Sequence, residues 1–131
     1  MIIVDSNAWV DFFNGVRSPH AERLDAALRD EEDLSVIPII LTEVLRGFRT
    51  DTGFQRVRRA LVSMPTIRPT VDCHVRAARL FRTLRRRGVT VRGAVDCVIA
   101  QTCLDIGAEL LSPDADFAHI ARHTTLRLWH G

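Results

Sequence analysis

Short apolar runs that each give way to a helical segment restrict this chain to a small group of folds. Ile2 to Val4 reads as a fully buried strand, Leu34 to Ile37 as a second stopped by Pro38, Glu109 to Leu111 as a third, and Leu126 to Trp129 as a last one. Between them the spacing predicts helices. One opens at Ser18-Pro19, an N-cap followed by a first helical position, and runs to about Glu31. Others cover Ile40 to Phe48, Gly53 to Met64, and a long stretch capped by Thr70 that ends at Gly88. The last two run from about Ala94 to Ile106, closed by Gly107, and from Asp116 to Arg122. Strands that are apolar throughout belong to a sheet covered on both faces, and strand–helix alternation makes that sheet parallel. The expectation is an α/β chain with a central, mostly parallel sheet flanked by helices on both faces. Its 131 residues suit one domain, 1–131.

Composition removes several classes. No apolar run approaches the roughly 20 residues of a membrane-spanning helix. Met1-Ile2-Ile3-Val4-Asp5 has no basic stretch before its apolar residues, so it reads as a buried strand rather than a signal peptide. Cys73, Cys97 and Cys103 are odd in number and never form Cys-x-x-Cys, which argues against a disulfide framework or a zinc site. They read as reduced core thiols of a cytoplasmic protein. The net charge of +2 hides an asymmetry: the 18 basic residues are all arginine. Thirteen lie between Arg46 and Arg92 against two acids, Asp51 and Asp72, leaving that segment near +11. The rest has five arginines against 14 acids, near −9. A basic middle segment points to a polyanionic partner.

The acids carry the chemistry. Sites on parallel sheets form outside the carboxyl ends of the strands. Asp5 ends the first strand, Asp114 and Asp116 follow the third, Asp96 sits in the first turn of its helix, and Glu43 near the start of another. Singly, each has an ordinary use: Asp5 or Asp114 as a helix cap, Asp96 as a match to the helix dipole, Glu43 as a solvated acid. Together, acids at element ends on one side of a sheet repel one another unless a hard divalent cation joins them. Magnesium, which takes a few carboxylates and keeps waters, answers that need.

Four motifs carry a resemblance. Ile-Ile-Val-Asp-Ser-Asn at positions 2–7 pairs an apolar strand with an aspartate and two small polar residues. Leu41-Thr42-Glu43-Val44 follows, then Gly93-Ala94-Val95-Asp96-Cys97-Val98-Ile99-Ala100, then Leu110-Leu111-Ser112-Pro113-Asp114-Ala115-Asp116-Phe117. In order, spacing and total length the chain resembles the PIN-domain ribonucleases, in particular the VapC toxins of type II toxin–antitoxin pairs. The resemblance implies a PIN-like fold and a magnesium or manganese site. It also implies endoribonuclease activity through a metal-activated water. Carried over by position, Asp5, Glu43, Asp96 and Asp114 are the catalytic acids. Asp5, Asp96, Asp114 and the adjacent Asp116 are the metal ligands, and Ser6 or Asn7 orients a water or a ligand. Ser112-Pro113 departs from the commoner threonine pattern and leaves open which of Asp114 and Asp116 faces the metal. The resemblance further implies a VapB-like antitoxin, an RNA substrate, and a homodimer or toxin–antitoxin hetero-oligomer.

Arg46 and Arg92 are the candidates for RNA contact, because each lies within a few residues of a proposed site acid, Glu43 or Asp96. Trp9, Phe12 and Phe13, in the helix after Asp5, suit core or dimer packing. Exposed apolar surface near them and Phe48 is expected to seat a partner's amphipathic helix. The five histidines show no convincing metal-ligand spacing. Two other classes compete. A phosphatase or receiver domain with an aspartate after its first strand normally uses a lysine, and this chain has none. A non-catalytic RNA- or protein-binding module on the same scaffold would tolerate loss of an acid, yet every acid is present.

The charge asymmetry generates a first prediction. Single-stranded RNA should bind with a slope of log affinity against log salt of about −0.7 per phosphate neutralised. Replacing Arg79, Arg82 and Arg86 together should flatten it. An unchanged slope, measured by fluorescence anisotropy across a salt series, would make that stripe merely solvated.

Overall fold

Ile2, Ile3 and Val4 are all buried. Successive side chains of a strand point to opposite faces, so both faces of their strand, β1 (Ile2–Val4), are covered. The computed structural model describes residues 1–131. After β1 come α1 (Ser6–Phe13), α2 (Pro19–Arg29), β2 (Leu34–Ser35), α3 (Pro38–Leu45), α4 (Asp51–Val62) and α5 (Val71–Arg86). The chain closes with α6 (Ala94–Ile106), β3 (Glu109–Leu111), α7 (Ala115–His123) and β4 (Arg127–Leu128). The strands form one sheet in the order β2-β1-β3-β4, and every pairing is parallel. This is the α/β architecture expected, with a sheet that is wholly rather than mostly parallel. No helix is long and apolar enough to cross a membrane.

Parallel pairing puts all four carboxyl ends on one edge. The register sets Val4 opposite Leu111, and the Asp5 N–H donates to the Leu111 carbonyl at 2.9 Å. The next pair across that ladder is therefore Asp5 and Ser112. Helix α6 returns the chain from this edge to the start of β3, so its first turn, with Asp96, lies where the strands end. Its far end stops at Gly107, whose φ of 69° is the left-handed cap conformation.

Local chemistry explains most boundaries. The Ser18 hydroxyl accepts the Ala21 N–H, and the Thr70 hydroxyl accepts the Cys73 N–H, each starting its helix where expected. On α5, Cys73, Ala77 and Leu84 are buried and Leu80 half-buried, while Arg79, Arg82 and Arg86 face solvent. The three cysteines are free and buried.

Two expectations need correction. Pro38 does not merely stop a strand ending at Ile37: it begins α3, and β2 ends at Ser35. Proline lacks the N–H that a first helical residue leaves unbonded anyway, so it opens the helix two residues early. Beyond β2, Val36 bridges Thr66 instead. Trp9 is not part of an exposed aromatic surface: at 2% exposure it lies in the core, stacked on Phe13 at 5.7 Å between ring centroids. Only Phe12, Phe13 and Phe48 remain half-buried there. Ala8 and Trp9 are the two residues of α1 that turn wholly inward, and Trp9 supplies the bulk of that buried face.

The stripe on α5 gives a graded stability prediction. Leu84→Ala should cost about 2–5 kcal/mol by urea denaturation. Leu80→Ala, at a partly exposed site on the same face, should cost clearly less. Equal losses would mean that α5 does not dock as described.

Candidate active site

The edge where the strands end gathers acids from four segments. Asp5 follows β1 and is 4% exposed. Although it stands at the N-cap position of α1, its side chain makes no capping bond. One of its oxygens instead accepts the Ser112 hydroxyl at 2.9 Å. The same Ser112 oxygen accepts the Asp114 N–H at 3.1 Å, so one hydroxyl ties the ends of the two central strands together. Asp114 caps α7, its Oδ1 accepting the Asp116 N–H at 2.9 Å. Asp96 projects from the first turn of α6, and Glu43 from α3.

Three of these acids converge closely. Asp96, Asp114 and Asp116 place carboxylate oxygens within 4.8 Å of one another. Asp5 and Glu43 stand within electrostatic reach. Burial first, then repulsion from Asp5, Asp114, Asp116 and Glu43, raises the Asp96 pKa to about 7. Burial also raises Asp5, with the Ser112 hydroxyl and the Ser6 amide pulling the other way. Glu43 is raised by burial and by Asp5, and lowered by Arg46. The cleft is thus a set of like charges that are hard to ionise together. Its donors are all oxygen, with no histidine or cysteine ligand among them, which is the preference of magnesium or manganese.

One cation of the chain itself touches the cluster. Arg92 Nη2 lies 3.4 and 3.3 Å from the two Asp114 oxygens, and its Nε 3.5 Å from Asp116 Oδ2. Its backbone N–H also donates to Asp116 Oδ2, at 3.1 Å. Arg92, expected to contact RNA, lies against the acids in the protein alone. Arg46 is exposed and near Glu43, without a hydrogen bond to it. Ser6 and Asn7 open α1 beside Asp5, and neither side chain bonds an acid. Ser112 is the residue that sequence reasoning passed over as a variation in the closing motif. Parallel register was the available signal, since it sets the residue after Leu111 beside Asp5.

The chain is similar to known proteins over nearly its whole length. The family model described as PIN domain matches residues 2–123. Ribonuclease VapC11 of Mycobacterium tuberculosis is 33% identical over 129 residues, spanning 97% of this chain and 96% of that protein. A VapC ribonuclease of Mycobacterium bovis matches to the same extent. Among solved structures, VapBC2 of Rickettsia felis, bound to a promoter DNA fragment, superposes with a TM-score of 0.77 at 19% identity, covering 98% of each chain. VapC20 of M. tuberculosis, a toxin that cleaves the sarcin–ricin loop, superposes at 0.68 and 16% identity, covering 90% of this chain and 93% of that one.

Repulsion in the cleft makes the metal-free protein sensitive to pH. With a folded pKa of about 7 against a reference of 3.8, Asp96 is protonated in both states at low pH and costs nothing. Ionising it in the folded state costs stability, lost as pH rises from about 4 to about 7. In EDTA, the wild-type protein should melt at a lower temperature at about pH 8 than at about pH 5. Asp96→Asn should flatten that difference; an equal difference in both proteins would contradict the repulsion.

Proposed function

The chain belongs to the PIN-domain family and, within it, to the VapC ribonucleases, and from that footing we propose that it is the toxin of a type II toxin–antitoxin pair, an endoribonuclease that hydrolyses RNA phosphodiester bonds. The observation that carries the reading is the convergence of Asp96, Asp114 and Asp116 beside buried Asp5, with an all-oxygen donor set. Asp5, Asp96, Asp114 and Asp116 would hold a magnesium ion, or manganese in its place. Such an ion polarises a phosphodiester and acidifies the attacking water.

The protein's own groups then have distinct tasks. Ser112 orients Asp5 through its hydroxyl, as outer-shell donors orient ligating carboxylates. Asp114 is held by the Ser112 contact and by capping α7, so its carboxylate is fixed before any ligand arrives. Glu43, raised by burial and by Asp5, is suited to accept a proton from the attacking water. Ser6 and Asn7 border Asp5 and would orient that water. The exposed arginines of α5 and Arg46 would bind the RNA backbone. The partner would be a VapB-like antitoxin, one of whose arginines can pair with the acids in place of the metal. The half-buried Phe12, Phe13 and Phe48 would contribute to its docking. Buried free thiols and an RNA substrate suit the cytoplasm.

Purified protein should cleave RNA with magnesium or manganese and lose that activity in EDTA. Asp5→Asn, Glu43→Gln and Asp96→Asn should each remove cleavage while circular dichroism stays native. Ser112→Ala should reduce metal affinity or activity by about 10–100-fold, the usual cost of an outer-shell partner. An active Asp96→Asn enzyme would sink the assignment.

A further inference from the structure

We propose that Arg92 is a built-in counter-cation of the acid cleft: it holds Asp114 and Asp116 in the metal-free protein, yields them to the divalent ion, and then grips the RNA phosphate beside it. The inference rests on the metal-nuclease reading and adds a coupling between metal and substrate that the reading does not contain.

The geometry is that of a displaceable partner. Side chains of Asp114 and Asp116 are each 13% exposed, whereas that of Arg92 is 82% exposed. The acids are sheltered and fixed from behind by Ser112 and the start of α7. The guanidinium lies across them from the solvent side, and its contacts of 3.3–3.5 Å are long for charge-assisted hydrogen bonds. Ion pairs this exposed are weak. The backbone N–H of Arg92 holds Asp116 independently, so the side chain can swing away without loop 87–93 leaving its place. Arg76 shows the contrast: it is clamped between Asp72 and Asp105 on two packed helices, the arrangement of a structural brace.

Both Asp114 oxygens face Arg92, and one of them is among the oxygens that converge with Asp96 and Asp116. That carboxylate cannot serve a guanidinium and a divalent ion fully at once. Metal affinity in the free protein is therefore reduced by the need to displace Arg92. RNA that draws the guanidinium to a phosphate removes that competition, so metal and RNA each tighten the other's binding by the same factor.

Isothermal titration of the full chain with manganese tests this, using wild type, Arg92→Gln and Arg46→Gln. Removing Arg92 should tighten manganese binding by about fivefold or more, a typical coupling. The gain should persist at about 0.5 M salt, where long-range charge effects are screened. Arg46→Gln, which removes a charge near the cleft but no contact, should give a smaller gain that salt abolishes. In a Glu43→Gln background, which removes cleavage, adding an RNA oligonucleotide should tighten manganese binding more with Arg92 present than with Arg92→Gln. Equal manganese affinity in wild type and Arg92→Gln would overturn the role of Arg92, as would a gain matched by Arg46→Gln and lost in salt. Absence of manganese binding to wild type would instead overturn the metal-nuclease reading itself.

Discussion

Carboxylates crowded at the end of a parallel sheet repel one another, and the organisation of this molecule turns on how that repulsion is contained. Parallel pairing of β1 and β3 sets Asp5 beside Ser112 and brings Asp114 and Asp116 to the same edge. The crossover through α6 returns Asp96 to it. With Glu43 of α3, four segments far apart in sequence thus deliver negative charge to one place, at a cost visible in the pKa of Asp96, raised to about 7. A fold that maintains such a cluster must stabilise it elsewhere, and the buried apolar strands beneath do so: β1 is covered on both faces, and Leu110 and Leu111 are fully buried. Rigid strands also keep the acids from relaxing apart, which is what makes them a ready cation site.

Three local devices moderate the charge before any ion arrives. Ser112 gives Asp5 a hydrogen bond from one side while accepting the Asp114 amide on the other. The start of α7 uses Asp114 as its cap, so a helix terminus shares the charge. Arg92 supplies a full positive charge from solvent. Only the last is removable, which is why the coupling between metal and RNA is placed there.

The α/β class, the helix caps at Ser18 and Thr70, and the Gly107 terminus were legible in the sequence, because each rests on local chemistry that needs no neighbour. Candidate acids were legible too, since residues at strand ends of a parallel sheet must share an edge. What escaped was contact across the sheet. Ser112 looks like a loop residue until register places it beside Asp5. Arg92 lies four residues before Asp96 and reads as a substrate contact. Only the loop geometry that lays it over Asp114, 22 positions away, shows its pairing. Trp9 reads as core or dimer seam, and at 2% exposure it is core. Pro38 has two meanings in sequence, breaker and helix opener, and the second applies.

The central claim is that these acids hold a divalent cation. Crystals of the full chain soaked in manganese and measured near the manganese absorption edge test it most directly. The account predicts one anomalous peak or a close pair, bounded by Asp96, Asp114 and Asp116 on the side facing Asp5, with the Arg92 side chain turned away from the carboxylates. Strong peaks elsewhere on the protein with none in this cleft, or Arg92 still seated on Asp114 and Asp116 at saturating manganese, would contradict it.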